Sequence, residues 1–471
     1  MAASNETYDL IIIGSGPGGY VAAVRAAQLD MKVAVIERYP RLGGVCLNVG
    51  CIPSKALLDS SEYYHLARAH LADHGIGVGD LSLDLKAMMA RKDKVVTELT
   101  DNVAKLLDGN GVTVIQGTAR LAGTDRVEVT GTEGQTKTVT GKKILLATGS
   151  QPVHPPGLAF DDDRIVSSSG ALALDAVPEH LGVVGGGYIG LELGSVWLRL
   201  GAAVTVIEML PAITPTLDGQ VARTLKRILT QQGFAFKMKT RVDAAEVTDN
   251  GVNVTLTSDK GEEKLSVDRL LVAVGRKPRT GGLGLEDAGV RIDDKTGHIP
   301  VDAEYRTNVE SIYAIGDLAP GPMLAHKASA EGIAAVESMA GKAGEVNYDA
   351  IPAVVYTWPE VASVGITEEQ AKERELPYCV GSYPFSGTGR ARCMGESDGF
   401  VKLIAHSETD RILGVHIIGP RAADMIAECV LAVEFGASAE DISRTIHGHP
   451  TFAEALQEAA MGIRECSIYA S

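Results

Sequence analysis

A chain of 471 residues is longer than one hydrophobic core usually serves, and at roughly 150 residues per domain it is expected to fold as about three. Hydrophobic residues at 45% and charged residues at 22% describe an ordinary globular protein and exclude a disordered one. The formal net charge of −16, from 60 acidic against 44 basic residues, opposes a large phosphate-neutralising surface, so nucleic acid is not an expected partner.

The first residues, Met1 to Glu6, carry acid and amide groups in place of the basic start and apolar stretch of a secretory signal. Export is not indicated, and a cytoplasmic setting is expected. Apolar runs such as Leu10–Ile13 and Leu270–Val274 fall far short of the roughly 20 residues that span a bilayer, so no membrane association is expected. Six cysteines are too few for a disulfide scaffold. Cys379, Cys393, Cys429 and Cys466 stand apart, without the clustering of a zinc site, and read as packing residues; no metal site is expected.

The first predicted unit runs from Tyr8 to Glu37: an apolar strand, a glycine-rich turn, a small-residue helix and a second strand ending in Glu. In GSGPGG, Gly14, Gly16 and Gly19 permit a tight turn, close approach of backbone to a pyrophosphate, and close packing of helix on strand. Amides at the helix N-terminus then face the phosphates, and Glu37 can accept hydrogen bonds from a ribose diol.

Next comes GGVCLNVGCIPSK, with Cys46 and Cys51 five positions apart and Lys55 beyond them. A regular helix would separate the two Cα atoms by roughly 7.5 Å along its axis, too far for an unstrained disulfide, so the segment is expected to be irregular. Gly43, Gly44, Asn48 and Gly50 weaken a helix, while Pro53 suits the first turn of the one that follows. Cys51 would lie near that helix N-terminus, where Lys55 also favours a thiolate. Spacing alone leaves a static disulfide or two buried thiols open. A strained pair directly after a nucleotide fold, however, is where a flavin-coupled dithiol is useful, because strained bridges are more oxidising.

A helical stretch is predicted from about Pro53 to Asp108, then strands at Val112–Gln116 and Val127–Thr130, ending in KILLATGS. The first unit then repeats from His180 to Glu208, with Gly185, Gly187 and Gly190 in the turn, Tyr188 and Ile189 beside them, and Glu208 at the offset of Glu37. Two different nucleotides are the economical reading. Met209 to Leu217 contains no Lys or Arg to pair a 2′-phosphate, and Glu208 repels one, so NAD is expected over NADP. Strands follow at Val252–Leu256 and Arg269–Val274, a glycine-rich boundary at Gly275–Gly284, and a strand at Ser311–Ile315. Thr148, Gly149 and Ser150, closing one strand, and Asp317, after another, suit a flavin weakly.

From about Ile351 the pattern changes, with strands at Val361–Val364, Gly399–Ile404 and Ile412–Ile418, then helices from Ala422. HGHPT places His449 before Pro450, which restricts it to an extended conformation, and Thr451 three residues before Glu454 has the form of a capping box. Taken alone, Glu454 caps and His449 packs as readily as they make a general base.

In this order GSGPGG, GGVCLNVGCIPSK, ATGS, GGGYIG with Glu192, VGRKP, AIGD, MLAHKA and HGHPT with Glu454 resemble the pyridine nucleotide-disulfide oxidoreductase family. Within it the chain is similar to the dihydrolipoamide-oxidising branch, since GCIPSK differs from the GCVPKK form of glutathione reductases. The resemblance covers essentially the whole chain. It implies an α/β fold with two Rossmann-like dinucleotide-binding domains plus a C-terminal α+β dimerisation domain: FAD on 1–151, NAD on 152–277, a central part completing the FAD domain on 278–349, and dimerisation through 350–471. Implied flavin contacts are Glu37, Arg38, Gly44, Val45, Lys55, Gly117, Thr148 to Ser150, Asp317, and Met323, Leu324, Ala325 and His326; Glu208, Val242 and Gly275 join the second glycine loop around NAD. It further implies a Cys46–Cys51 redox disulfide, His449 as base oriented by Glu454, a Lys55–Glu192 pair beside the flavin, a homodimer with a shared active site, and partners among the lipoyl domains and core of 2-oxoacid dehydrogenase complexes. An NADPH-dependent reductase of glutathione-like disulfides is the rival, opposed by Glu208 and Ser54. A mercuric reductase is opposed by Cys466 having no neighbouring cysteine, and a purely scaffolding role in a complex is a third reading.

Overall fold

The computed structural model describes residues 7–464 and 467–468. The chain divides into two compact units, one holding the chain up to Leu57, Asp84–Val153 and Gly275–Val346, the other Leu58–Leu83, His154–Val274 and the chain from Asn347 on.

In the first unit β1 (Thr7–Ile13) leads through α1 (Pro17–Gln28) to β2 (Val33–Glu37). The apolar run is continuous because the strand is covered on both faces: Leu10, Ile11 and Ile12 are fully buried, and β1 pairs in parallel on both sides. Pro17 suits the first turn of α1, where an amide would lack a helical partner, and Gly18, Gly19, Ala22 and Ala23 give the helix a small buried face.

A short helix α2 (Gly44–Val49) comes first, and the single helical stretch expected from about Pro53 to Asp108 forms as two α-helices, α3 (Cys51–Ala69) and α4 (Leu85–Gly109). The glycines expected to weaken a helix around Cys46 leave α2 intact, and the irregularity concentrates at Gly50 (φ −139°, ψ −115°). Gly75, Gly77 and Gly79 interrupt the pattern between α3 and α4, and Asp84 restarts it by accepting the Ala87 amide at 2.9 Å.

β3 (Thr113–Gln116) extends the parallel sheet beyond β2. β4 (Thr118–Leu121) and β5 (Arg126–Thr130) form an antiparallel flap with the first half of β6 (Thr136–Leu146), whose second half enters the parallel sheet beside β1. β7 (Ser150–Pro152) follows.

In the second unit β8 (Ile165–Val166), the one-turn α5 (Ser168–Ala171), β9 (His180–Val184), α6 (Tyr188–Leu200), β10 (Ala203–Glu208), α7 (Gly219–Gln231) and β11 (Phe234–Met238) rebuild the same architecture. An antiparallel meander, β12 (Arg241–Thr248), β13 (Gly251–Ser258) and β14 (Gly261–Val267), precedes β15 (Arg269–Val272), which completes a parallel sheet of order β11-β10-β9-β15-β8.

β16 (Arg276–Pro278) pairs with β7 inside the first unit, a strand that the sequence had as a glycine-rich boundary. β17 (Ile312–Ala314) lies parallel to β6, and α8 (Ala325–Met339) packs on α1 so tightly that a Cβ at Gly332 would come within 2.7 Å of the Gly18 carbonyl oxygen.

The second unit ends in an antiparallel sheet of order β18-β19-β22-β21-β20, formed by β18 (Ala353–Val355), β19 (Glu360–Gly365), β20 (Tyr378–Pro384), β21 (Phe400–His406) and β22 (Ile412–Gly419). Short helices α9 (Glu368–Glu373) and α10 (Gly389–Met394) sit in the connections, and α11 (Ala422–Glu434), α12 (Ala439–Arg444) and α13 (Glu454–Met461) follow. Phe385, Val401, Leu403 and Ile417 are fully buried in this core. Cys429 packs there as expected and Cys379 is half-buried, but Cys393 is exposed: α10 is a single short turn-rich element that buries only Ala391. Cys466 lies outside the described residues. Among the described residues no helix is long and apolar enough to cross a membrane, and no grouping of His, Cys, Asp and Glu could hold a metal ion.

The closest approach in the first nucleotide fold sets a test. A Cβ at Gly19 would lie 1.9 Å from the Gly14 carbonyl oxygen, and only displacement of α1 relieves that. Gly19→Ala is expected to lower stability by about 1–3 kcal/mol, read by urea denaturation; an unchanged midpoint would show that α1 can shift freely.

Candidate active site

Each glycine turn is held by the carboxylate at the end of the second strand of its own fold. Glu37 Oε2 accepts from the Ser15 amide at 3.0 Å and the Ser15 hydroxyl at 2.7 Å, while Oε1 accepts from the Tyr39 amide at 3.0 Å. In the second fold Glu208 Oε2 accepts from the Gly186 amide at 2.7 Å and Oε1 from the Leu210 amide at 2.7 Å. The two pairs share the same separation of 22 residues, so the repeat seen in the sequence extends to individual hydrogen bonds. A carboxylate offers about four acceptor sites, so both keep capacity for a ribose diol.

The helices behind the turns begin at Gly16 and Gly187, each in extended conformation and neither capped by a side chain. Their leading amides therefore face outward as an anion site. Gly14 and Gly185 both need a positive φ, +106° and +105°, and a Cβ at either would strike the next strand's Ala147 or Ala273 carbonyl oxygen at 2.5 Å. Tyr188 extends from the second turn with its hydroxyl 2.6 Å from Thr216 Oγ1, and Val242 packs partly buried against the core containing Val184. Gly275 falls in the first unit, where its carbonyl accepts from the Val153 amide at 3.0 Å.

Around the first turn, Arg38 stacks its guanidinium 4.6 Å from the Tyr39 ring centre. The Gly117 amide donates to the Glu37 carbonyl at 2.9 Å. Gly44 packs on Gly16, and Val45 follows it in α2. The Thr148 hydroxyl and the Gly149 carbonyl both bind the Arg279 backbone, at 2.8 and 2.9 Å. Met323 precedes Leu324, Ala325 and His326 at the start of α8, a third helix without a side-chain cap.

Cys46 lies in α2 and Cys51 opens α3, with the break at Gly50 between them. A Cβ at Gly50 would fall 2.8 Å from the Val45 carbonyl oxygen, so glycine lets the chain fold back there. Cys46 is half-buried and Cys51 exposed, and the Cys46 thiol is hydrogen-bonded to Cys51. This bond, burial and the charge of Cys51 push the Cys46 thiol's pKa strongly up, opposed by Lys55 one turn along α3.

Two arrangements had no role in the sequence reading. The Ser150 hydroxyl donates to Asp317 and accepts from Arg276 Nε at 2.8 Å, while Arg276 also donates to the Ser150 carbonyl at 2.9 Å. Burial pulls the Arg276 pKa down, while Asp317 and Cys51 pull it up. Behind Asp317, the fully buried Lys327 and Glu331 pair at 3.1 Å and grip the Gly316 peptide from both sides: Lys327 Nζ donates to its carbonyl at 2.9 Å and Glu331 accepts its amide at 2.7 Å. An i,i+4 Lys–Glu pair reads as a surface bridge. The surrounding Ala325, Ala328, Ala330, Gly332, Ala334 and Ala335 were the signal that this helix packs closely enough to bury Lys327 and Glu331.

In the second unit His449 Nδ1 lies 2.7 Å from Glu454 Oε1, and Glu454 Oε2 accepts from the Thr451 amide at 2.8 Å. The expected capping box is only half made, because the Thr451 hydroxyl turns to the Gly448 carbonyl at 2.7 Å. Glu454 therefore serves the imidazole and the turn together. Burial opposes its ionisation, but the bonds from His449 and Thr451, with the neighbouring imidazoles, outweigh it and hold its pKa below the usual carboxylate range. The peptide before Pro450 is cis. His447, beside it, is held by Glu428 at 3.0 Å and the Thr445 carbonyl at 2.8 Å. Glu192, buried in α6, accepts from the Tyr356 amide at 3.0 Å.

Residues 8–332 match the pyridine nucleotide-disulphide oxidoreductase family, and residues 351–460 match the dimerisation domain of that family. The chain is 48% identical over 470 residues to the mitochondrial dihydrolipoyl dehydrogenase of Pisum sativum, covering 99% of this chain and 94% of that one. It is 49% identical over 462 residues to the leghemoglobin reductase of Glycine max, covering 98% and 88%. Among solved structures it resembles LpdA from Mycobacterium tuberculosis with a TM-score of 0.89 and 28% identity, over 96% and 98% of the two chains. The HOCl-induced flavoprotein disulfide reductase RclA from Escherichia coli follows at 0.85 and 29%, over 97% and 100%. Two carboxylate-held glycine turns, a dithiol across a helix break and these full-length matches lead to one statement: the chain belongs to the pyridine nucleotide-disulphide oxidoreductase family.

Proposed function

We propose that the chain is a dihydrolipoyl dehydrogenase, oxidising protein-bound dihydrolipoamide and delivering the electrons to NAD. The observation that carries this reading is the Cys46–Cys51 thiol pair folded across Gly50, in a chain nearly half identical to dihydrolipoyl dehydrogenases along almost its full length.

The first glycine turn, with Glu37, Arg38, Gly44, Val45, Gly117, Thr148 to Ser150, Asp317 and the start of α8, would hold FAD; the second, with Glu192, Glu208, Val242 and Gly275, would hold NAD. We read residues 1–151 with 278–349 as the FAD domain, 152–277 as the NAD domain and 350–471 as the dimerisation domain. Bound flavin supplies the two-electron acceptor between dithiol and nicotinamide. The protein residues supply the rest. His449, its Nδ1 turned to Glu454, receives a proton at Nε2 from one thiol of the substrate. The resulting thiolate attacks Cys46 Sγ of the oxidised pair, and Cys51 leaves with the electrons of the broken S–S bond. The second substrate thiol displaces Cys46, closing the substrate disulfide and leaving the protein pair reduced. Lys55 and Glu192 are read as the ion pair beside the flavin.

The active site is proposed to be shared between two copies, with the dithiol of one and His449 and Glu454 of the other. Lipoyl domains and the core of a 2-oxoacid dehydrogenase complex are the proposed partners. A cytoplasmic setting completes the proposal, on the small number of cysteines; several relatives are named as mitochondrial, and cell fractionation distinguishes the two.

The purified protein is expected to oxidise dihydrolipoamide with NAD in preference to NADP, and to leave oxidised glutathione at background rate. Cys46→Ser should lower that turnover by at least roughly a thousandfold; a variant that keeps the wild-type rate removes the dithiol from the mechanism.

Heterodimers of a Cys46→Ser chain with a His449→Gln chain have one site with both groups intact if the site is shared, and none if each chain acts alone. Recovery of roughly half the wild-type rate is expected for a two-site dimer. No recovery in verified heterodimers refutes sharing.

The pH dependence follows from Glu454. Its pKa is lowered by folding, so the His449–Glu454 bond contributes above the ordinary carboxylate range and is lost only as pH falls through the depressed value. Carboxylates ordinarily titrate near pH 4, so Glu454 stays ionised and the His449–Glu454 bond stays intact along the acid limb of dihydrolipoamide oxidation above that range. Glu454→Ala should shift that limb and lower the plateau; an unshifted profile would mean that Glu454 does not orient the base.

A further inference from the structure

An ionic cluster with a buried lysine and aspartate at its centre lies within the second unit. Lys402 on β21 is 1% exposed and places Nζ 2.8 Å from Asp218 Oδ2 and 2.7 Å from Glu368 Oε2. Asp218 caps α7, its Oδ1 accepting from the Gln220 and Val221 amides at 3.0 and 3.4 Å. Burying a charge at the centre of an apolar sheet is costly unless it is paired, so a lysine at this position requires explanation.

The explanation lies in what Asp218 terminates. Residues 209–217 form the loop that leaves Glu208; the Lys239 amide donates to its Leu210 carbonyl at 3.2 Å, and three of its other bonds lead back to the nucleotide turn or to the carboxylate that holds it. The Leu210 amide binds Glu208, the Thr214 amide donates to the Gly186 carbonyl at 2.9 Å, and Thr216 meets the Tyr188 hydroxyl. Thr214 is held at a φ of +43°, strained for a β-branched residue. The far end of this loop is anchored by Lys402 through Asp218.

We propose that Lys402 is a positioning residue for the nicotinamide nucleotide, fixing residues 209–217 against the second glycine turn through its ion pair with Asp218. The inference rests on the reading that this turn binds NAD.

The charged and titratable groups facing the cluster are Asp218 and Arg223 on α7, Glu368, Glu369 and Lys372 on α9, Tyr378 on β20, Lys402 on β21 and His416 on β22. Burial opposes the charge of Asp218, but Lys402 and its other partners hold its pKa below the usual range; Glu368 is held at about 2, mainly by Lys372 and Lys402. Burial keeps His416 neutral, with Nε2 donating to the Ile366 carbonyl at 3.0 Å. Without Lys402, Asp218 and Glu368 would face each other as like charges with no shared cation. Their repulsion is relieved when one of them takes up a proton.

Lys402→Met is expected to raise KM for NAD about tenfold at pH 8, while kcat at saturating NAD and KM for dihydrolipoamide stay within about twofold. The defect should shrink as pH falls toward 6, and Lys402→Arg should restore the wild-type value. The double variant Lys402→Met/Asp218→Asn keeps a helix cap, removes the repulsion, and should lose the pH dependence. A wild-type KM for NAD in folded Lys402→Met overturns the proposal. Should that variant fail to fold, Asp218→Asn alone decides: a rise of roughly threefold supports it, and no change refutes it. Glu208→Ala separates the two readings. If KM for NAD ignores Glu208→Ala, the nucleotide assignment itself falls; if it responds and Lys402→Met does not, only the role of Lys402 is lost.

Discussion

A glycine-rich turn has no side chains with which to hold itself, so something else must fix its shape. Here that is a carboxylate at the end of the second strand, Glu37 in one fold and Glu208 in the other, accepting the amide of Ser15 or Gly186. Both reach the turn from a neighbouring parallel strand, so the sheet's rigidity passes directly to the phosphate site. The charge also discriminates: a group that welcomes a ribose diol repels a ribose phosphate. One side chain thus sets the loop geometry and, on the proposed nucleotide assignment, the nucleotide preference as well, and this chain carries two copies of the device.

The dithiol depends on a different device. Five residues of regular helix would hold two sulfurs apart, and the chain resolves this by breaking at Gly50 while keeping helix on both sides. Cys46 and Cys51 are brought together without sacrificing the start of α3, whose first residue is Cys51. The free energy of irregular backbone is confined to one residue that has no side chain to clash.

The legible parts of this chain are those where spacing forces chemistry. Both nucleotide folds, the irregularity between Cys46 and Cys51 and the placing of Cys51 near a helix start could be read from the residues, because each depends on residues close together or on a repeated pattern, whereas the His449–Glu454 pairing was legible only through the family resemblance. The break between α3 and α4 was less visible, since its glycines lie in a polar stretch that resembles an amphipathic helix. β16 was hidden inside a turn-like segment because its pairing with β7 involves residues far away in the chain. Arg276, Lys327 and Lys402 look like surface charges by type, and only the packing around them shows that they are interior struts. Cys393 erred in the opposite direction, an apolar residue type left at the surface by a short helix.

The grip of Lys327 and Glu331 on the Gly316 peptide has a consequence for how the holoprotein is assembled. Both ends of that grip lie out of solvent and come from the polypeptide itself. The turn presenting Asp317 is therefore shaped during folding, before any cofactor arrives. A flavin docking against this turn would meet a segment already ordered, with little ordering entropy left there to oppose it.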